Sequence, residues 1–519
     1  MSRRDLSTFF GQGLHATELY DYAIGKVKAG TRDRGNEGTR QRSSDWLTRV
    51  EVLRKAAGRI PVEVAVIAER DTGVVRVEGL AEREWVEVPT KSKPKTVLLD
   101  PRVRTHDWNM LNNRKRVGSL ARAFLPPPGT DFYFHRYFST RSRRDRMTVG
   151  LQPTVWYNDA GGVTLGVRSR NDYLGRFEQN VSLFSVGTGW GSDLDVQDLD
   201  FFFRIKNPVV LRAPNFSQTL DMFQTEGRYG AMVGLDWTRR EHLTDGPAWY
   251  RGVKLAWVAT NDFRYLDPGL YDDVGTIELQ LSRGVITQGG KWQLGLRSSL
   301  GGGLVYNRQG LAAAAGAGLD PFYFRGTVEG SARRPLGSKR NLAARLFAGA
   351  AGGHHATAKQ RQIYLQGADP VQQLSNPFLR SRGALLVGDD FHYHAPGGAG
   401  VRGIDPRVST SAVVGLNLEL EQTLVSRSAA SLFSRIAIAA FTDLAHEIGG
   451  EPQPFTGERI RFLGDAGVGL RADHRIADTR FTTRFDFPLY VNRPALAQDR
   501  GPGDKEFEFR WTFSFQPAF

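Results

Sequence analysis

The sequence predicts an all-β chain: a small β-sandwich followed by a C-terminal, membrane-spanning β-barrel of about 16 antiparallel strands. Three observations predict it. The residues Phe507 to Phe519 read F-E-F-R-W-T-F-S-F-Q-P-A-F, with Phe507, Phe509, Trp511, Phe513 and Phe515 at alternate positions and Glu508, Arg510, Thr512 and Ser514 between them. That period of two places five aromatics on one face and charge and hydroxyls on the other, as in a strand between an apolar medium and a wet one. No run of 18 apolar residues occurs, so no helix of the sequence is apolar enough to cross a bilayer. A closed barrel crosses without one, because only every second residue faces lipid, and segments of roughly ten alternating residues separated by turns recur from Asp131 onward.

The elements follow in order. Asp5 to Leu14 has an N-cap candidate in Asp5 and apolar Leu6, Phe9, Phe10 and Leu14 at helical spacing, weakened by Gly11 and Gly13; residues 1–15 are read as a remnant helix of an upstream domain. Residues 16–115 are read as the sandwich. Short alternating runs at 20–28, 46–53, 61–67, 74–77, 85–88 and 96–99 are separated by Gly30, Gly58, Asp71-Thr72-Gly73 and Pro94. Residues 116–130, with Pro126-Pro127-Pro128-Gly129, form a linker, since three prolines continue neither a ladder nor a helix. The barrel then occupies 131–519.

The N-terminal part resembles the end of the catalytic domain and the β-sandwich of the aminopeptidase N family of zinc metallopeptidases. The resemblance rests on Asp5 with Phe9-Phe10-Gly11-Gln12, Asp21-Tyr22, Trp46 with Val50 and Val52, Pro61-Val62, and Leu99-Asp100-Pro101 followed by Asn109, Asn112 and Asn113; Gly13 stands where that family has Trp. It implies a catalytic domain upstream. The family's H-E-x-x-H signature is missing here: a spacing of four puts two imidazoles on one helix face to bind zinc, and the one His-Glu pair, His446-Glu447, runs into Ile448-Gly449-Gly450. The chain itself is read as non-enzymatic, with no metal and no cofactor. A signal peptide needs a basic segment, an apolar core and a small-residue cleavage site, whereas Met1 to Ala29 reads as Arg3 and Arg4, an acid, then scattered polar and apolar residues. The reading is therefore a protein that is not exported, or the downstream part of a longer one; the resemblance favours the second.

Sixteen barrel strands are placed at 131–139, 147–157, 162–171, 179–189, 197–207, 227–239, 249–261, 273–283, 290–302, 320–334, 340–352, 410–422, 431–443, 461–471, 479–490 and 506–515. Short connections at 159–161, 285–289 and 335–339 and long ones at 208–226, 262–272 and 353–409 fall on opposite ends, as periplasmic turns and outer loops should. The last strand closes the ring against the first. Its row of aromatics, ending in Phe519, resembles the terminal strand of bacterial outer-membrane barrels. That resemblance implies outer-membrane lipid and the barrel assembly machinery as partners.

The longest connection contains Pro396-Gly397-Gly398-Ala399-Gly400-Val401-Arg402-Gly403-Ile404, five strands from the end. Val401-Arg402-Gly403-Ile404 resembles the V-R-G-aromatic loop of the bacterial surface antigen superfamily, whose sixteen-stranded barrels insert or export other proteins; Ile404 replaces the usual aromatic. The resemblance implies that the loop folds into the lumen and that Arg402 pairs with acids of the two following strands. The matching acids are Glu419 or Glu421, and Asp443. Period two supports this: if Leu416, Leu418 and Leu420 face lipid, Asn417, Glu419 and Glu421 face inward, and Asp443 shares a face with Arg435.

Other constellations carry less. His354-His355 and His392-Tyr393-His394 are read as solvated loop histidines, since no Cys or acidic cluster accompanies them. Gly302-Gly303 and the alanine-rich 311–318 lack the Gly-Lys-Ser/Thr of a phosphate loop. Arg141, Arg143, Arg144 and Arg146 form a basic cluster able to meet anionic head groups. The net charge of +14 is spread along the chain among 55 acids, which suits lumen and loop positions and argues against nucleic acid. Three readings result, with the barrel in the outer membrane of a Gram-negative-type bacterium and the N-terminal module periplasmic. The first is the anchor or conduit of a metallopeptidase-like envelope protein. The second is a surface-antigen-type barrel acting on polypeptides, and the third a passive pore.

Overall fold

The computed structural model describes residues 11, 19–32, 45–118, 130–136, 143, 145–158, 160–173, 177–192, 198–208, 215–240, 246–307, 310, 317–353, 356–374, 386–387, 390–427, 431–449, 461–476, 479–497 and 505–515. The helix read at Asp5–Leu14, apart from Gly11, and the prolines 126–128 lie outside them. The chain divides into two compact units, one of residues 1–134, 141–150 and 171–178 and one of 135–140, 151–170 and 179–519.

The first unit is a two-sheet β-domain. Strands β1 (Tyr22–Arg32), β2 (Asp45–Arg54) and β5 (Arg83–Thr90) form one sheet; β4 (Thr72–Val77), β3 (Val62–Ala68), β6 (Pro94–Leu99) and β7 (Arg114–Arg116) form the other. Alternation decides the faces: Val62, Val64 and Val66 from β3, Val50 and Val52 from β2, and Val86 and Val88 from β5 meet in one apolar core. The polar residues quoted from this region form a hydrogen-bonded seam beside that core. Asp107 accepts from the Tyr22 and Asn109 amides and from Asn113 Nδ2, each at 3.0 Å, and Asn112 Nδ2 donates to Asp21 at 2.8 Å. Asp100 sits at φ 47°, a left-handed position that its own carboxylate stabilises by accepting from the amides of Arg104 and Thr105. The Tyr22 hydroxyl donates to Gly79 O at 3.0 Å and accepts from the Ile60 amide at 2.9 Å. Tyr22→Phe is therefore expected to cost about 1–3 kcal/mol and to raise amide exchange around Ile60 and Gly79 in the full chain, with exchange in the barrel unchanged.

The remaining long strands form a closed barrel. Its strands are β8 (Asp131–Phe134), β9 (Thr148–Asn158), β10 (Gly162–Tyr173), β11 (Phe177–Gly187), β12 (Leu199–Pro208), β13 (Phe216–Thr225), β14 (Arg228–Arg240), β15 (Ala248–Thr260), β16 (Gly275–Gly289), β17 (Trp292–Tyr306), β18 (Phe322–Pro335) and β19 (Arg340–Gly352). After a long connection containing β20 (Ile363–Tyr364), β21 (Leu386–Val387), β22 (Asp390–Phe391) and β23 (Ser409–Thr410) come β24 (Ala412–Ser426), β25 (Phe433–Glu447), β26 (Phe462–Ile476), β27 (Thr479–Val491) and β28 (Thr512–Ser514). Leu255, Leu279, Leu281, Leu296, Leu300, Val328, Leu346, Leu418 and Leu420 are all exposed on the outer face. An apolar band of that extent belongs in a bilayer rather than in water.

Three details differ from the sequence reading. Phe216–Thr225, read as part of a loop, is the strand β13. Its outward positions carry Gln218 and Gln224 beside Leu220 and Met222, and its inward ones Phe223 beside Asp221, so neither face is uniformly apolar and the alternation is hidden. The first segment is only the four-residue β8, and it runs parallel to β9: Asp131 N bonds Met147 O and His135 N bonds Leu151 O, both partners advancing together. Sixteen up-and-down strands still result among the described residues, β9–β19 and β24–β28, with β8 additional. Inserting β13 moves the tight 159–161 turn to the end of the barrel that bears the long connections 261–274 and 353–411.

The closing strand is shorter than its pattern. Ser514 and Thr512 pair with Arg484 and Asp486, and pairing resumes at Phe507 with Tyr490, offset by one residue. Pro488 lies in the gap and has no amide proton to donate. The face pattern holds from Phe509 to Phe515: Phe509 and Phe515 are exposed (69 and 49%), Trp511 and Phe513 are half-buried, and Arg510, Thr512 and Ser514 are buried, whereas Phe507 and Glu508 are both exposed. Phe519 lies outside the described residues.

Candidate functional site: a loop packed inside the barrel

The connection between β19 and β24 folds inward and has a core of its own. Ile363, Leu365, Ala399, Val401, Ile404 and Val408 from the connection are buried against Phe347, Val413, Ala445, Leu463 and Val491, which the pleat of β19 and β24–β27 turns inward. β20 pairs with β23, so the connection closes on itself before it re-enters the wall. Buried ion pairs fix its other end: Asp369, which also caps the helical turn Pro370–Gln373, meets Arg325 at 2.7 Å, and Arg361 reaches Glu278 at 3.4 Å and Thr276 at 2.7 Å. The apolar loop residues form the plug and the charges set its register.

Arg402 occupies the centre of this arrangement and is 1% exposed. Its Nε and Nη2 donate to the two oxygens of Asp443 at 2.8 and 3.2 Å, a bidentate fork, while Nη1 donates to Glu419 at 2.8 Å and lies 3.3 Å from Asp486. The guanidinium carbon stands 3.8 Å from the centre of the Phe441 ring, so the cation is covered by a π face as well. Three carboxylates surround one guanidinium, and two further arginines balance them. Arg471 joins Glu419 (2.9 Å) to Asp486 (2.7 Å), and Arg484 meets Asp486 at 2.9 Å. The backbone is held too. Gly403 N donates to Asp465 at 2.5 Å, and Asn417 donates to Ala399 O and Gly400 O while accepting from Arg345 at 2.9 Å.

The sequence residues are thus distributed as follows. Val401 and Ile404 are in the plug core, Gly403 and Arg402 on the charged side, and Glu419 and Asp443 on Arg402. Glu421, the alternative acid, is one inward step further along β24 and binds Arg435 instead. Asp465, Arg471, Arg484, Asp486 and Arg345 were not singled out by the sequence, and Asn417 only as an inward-facing residue. Their only signal is inward parity on β19, β24, β26 and β27, which every polar lumen residue shares.

The histidines of 392–394 are not solvated, contrary to their reading from sequence. His392 stacks on Trp511 with centroids 3.8 Å apart, and Tyr393 bridges Phe513 in parallel, with Phe513 N bonding His392 O and His394 N bonding Phe513 O. This piece of the connection therefore lies along the closing strand. His394 is buried; Nε2 donates to Gln366 O at 3.0 Å, and Nδ1 accepts from Arg484, which fixes a neutral tautomer. Burial, then Arg484 and Arg402, push His394 well below the usual histidine range, with Asp486 opposing. Because the unfolded chain then binds a proton that the folded one refuses, stability falls as pH drops below about 6.5. The temperature at which the folded band is lost on gels is expected to fall between pH 7 and pH 5, and less steeply in His394→Gln; equal slopes would contradict this role. His354 and His355 lie outside the described residues, as do Arg141 and Arg144, whereas Arg143 and Arg146 both bind Asp145.

On the lumen side of β16–β19 a cavity of about 480 Å³ is bounded by Ser282, Arg297, Ser299, Glu329, Arg345 and, from the plug, Gln372 and Gly398. It is polar.

No protein-family model matches the sequence. No curated relative matches it either. Among solved structures, the chain is similar to BamA from Haemophilus ducreyi lacking POTRA domains 1–3, at 14% identity over 70% of each chain with a TM-score of 0.37. It is also similar to CdiB from Escherichia coli, at 11% identity over 70% of this chain and 62% of that one (TM-score 0.42), and to CdiB from Acinetobacter baumannii, at 10% over 95% and 65% (TM-score 0.32).

Proposed function

We propose that the protein is a plugged outer-membrane barrel that handles polypeptides, in the manner of the surface antigen superfamily, with its plug as the part that moves when substrate passes. The observation that carries this reading is Arg402 bound by Asp443, Glu419 and Asp486 inside the lumen. A passive pore gains nothing from filling its lumen with a folded loop, whereas a conduit for a large, occasional substrate needs a closed resting state. The reading places the barrel in the outer membrane of a Gram-negative-type bacterium, delivered by the barrel assembly machinery through its aromatic last strand, with the N-terminal module in the periplasm. A photo-crosslinking residue at Ser299, on the lumen cavity, is expected to capture polypeptides in intact cells. A barrel that stays free of adducts while conducting ions steadily would be the passive pore instead.

A second reading, compatible with the first, is that the chain is the non-catalytic anchor of a metallopeptidase-like envelope protein. Its support is the seam in which Asp21, Tyr22, Asn112 and Asn113, four residues of the aminopeptidase resemblance, lie together around Asp107. An antibody against the β1–β7 domain tests it on native membranes: a product larger than 57.7 kDa that carries zinc supports the anchor, and a zinc-free product of that mass removes it.

A further inference from the structure

Near the short-turn end of β14 and β15, and on the part of β16 paired with them, the outer face of the barrel carries arginines where the rest of the band carries leucines. Register fixes the arrangement: Trp237 pairs with Arg251, and Arg251 with Arg283, while in the next outward row Arg239 pairs with Trp249. Directly paired residues share a face. That face is the outer one, because the same parity holds exposed Val233 on β14, Leu255 on β15 and Leu281 on β16.

All three arginines are exposed. Arg251 and Arg283 are like charges placed directly opposite each other, an arrangement that costs stability in an isolated sheet. Among the described residues none of the three has a carboxylate partner, and the nearest aromatic contact is Arg283 over the Trp249 ring at 5.9 Å. The carboxylate of the neighbouring Asp236 belongs to the inward parity of β14. Apolar neighbours run from the cluster toward the middle of the barrel; on the other side β14 ends one residue after Arg239 and β15 begins three residues before Arg251, while Arg283 is six residues from the end of β16, with Val285 and, on β17, Leu296 beyond it. Arg239 and Arg251 therefore sit where an apolar band meets water, and Arg283 just inside that band.

We infer that Arg251 and Arg283, flanked by Arg239 and held between Trp237 and Trp249, form a binding site for the phosphate of an anionic phospholipid in the leaflet at the short-turn end. The two opposed guanidiniums supply donors to one phosphate, which removes their mutual repulsion. The two indoles occupy the interfacial level that Trp favours, and the acyl chains lie along the Leu255 and Leu281 side. The inference rests on the membrane-spanning reading of the barrel.

The test uses the full chain folded in detergent and then in liposomes. Native mass spectrometry with added phosphatidylglycerol or phosphatidylcholine is expected to show retained phosphatidylglycerol at about tenfold lower lipid concentration. That preference is lost in Arg251→Gln/Arg283→Gln and kept in Arg251→Lys/Arg283→Lys. Equal retention of both lipids, or full displacement of phosphatidylglycerol by inorganic phosphate alone, overturns it. If the Gln variants lose heat resistance equally with and without phosphatidylglycerol, an ion pair within the chain explains the cluster and the lipid site is refuted. Trypsin protection in phosphatidylcholine liposomes is the separate control. If the wild-type chain is not protected in any liposome, the membrane reading itself fails; if it is protected without lipid preference, only the site fails.

Discussion

Arg402→Ala is expected to lower the temperature at which the folded barrel is lost on cold gels and to raise the ion conductance of the barrel in planar bilayers. The cost is carried unequally by the three carboxylates. Glu419 keeps Arg471, and Asp486 keeps Arg471 and Arg484, but Asp443 is left with Asn417 Nδ2 at 3.1 Å, the backbone amide of residue 402 at 3.5 Å and no cation. A buried carboxylate stripped of its guanidinium costs about 3–5 kcal/mol, a large share of what holds the plug. Arg402→Lys keeps the charge without the fork and is expected to fall between wild type and Ala. Arg402→Ala/Asp443→Asn removes both charges and is expected to recover part of the loss. No recovery would mean that the effect comes from packing against Phe441 rather than from charge.

Gly398→Val is expected to be at least as damaging, for a reason independent of charge. Gly398 lies at φ +48°, in the left-handed region, and a Cβ there would stand 2.2 Å from Tyr364 O and 2.3 Å from Gly367 O. Neither backbone oxygen can withdraw, because Tyr364 is in the β20–β23 pair and the Gly367 chain is bound through the Ala368 amide to Ala395 O. Gly398 O also accepts from Arg345 at 2.7 Å, so displacing it loosens the opposite wall contact. Left-handed strain of about 1–2 kcal/mol adds to a clash that only undocking relieves. The expected result is trypsin cleavage within 356–410, after Arg402 or Arg407, in a barrel whose strands stay folded. Wild-type resistance would show that the connection tolerates a side chain there and packs less tightly than its contacts indicate.

What the sequence disclosed was what period two makes visible. Phe507 to Phe515 alternate so strongly that the closing strand is legible without context, and Leu416, Leu418 and Leu420 turn Glu419 inward by parity alone. β13 escaped because its two faces carry similar mixtures, and β8 escaped as a parallel strand because pairing direction leaves no mark on composition. The site was legible only at its centre. Parity admitted both Glu419 and Glu421, and the choice between them depends on how far Arg402 reaches along β24. Arg471, Arg484 and Asp486 are ordinary lumen residues in sequence, and His394 passes for a loop histidine. Their roles come from strand register and from the path of the connection, which only the three-dimensional arrangement specifies.

The plug's partners also fix an order of events. Glu419, Asp443, Asp465, Arg471, Arg484 and Asp486 lie on β24 to β27, all later in the chain than Arg402, and Arg345 and Phe347 lie on β19, just before the plug connection. Everything that holds the Arg402 end of the plug lies within about 140 residues of continuous chain, whereas Arg325 and Glu278 hold its other end from β18 and β16, so the Arg402 end can settle against the C-terminal strands while the rest of the wall is still incomplete. A curved sheet of these strands already offers Arg402 its full set of carboxylates. A plug docked at that stage leaves the ring to close around a lumen that is already occupied.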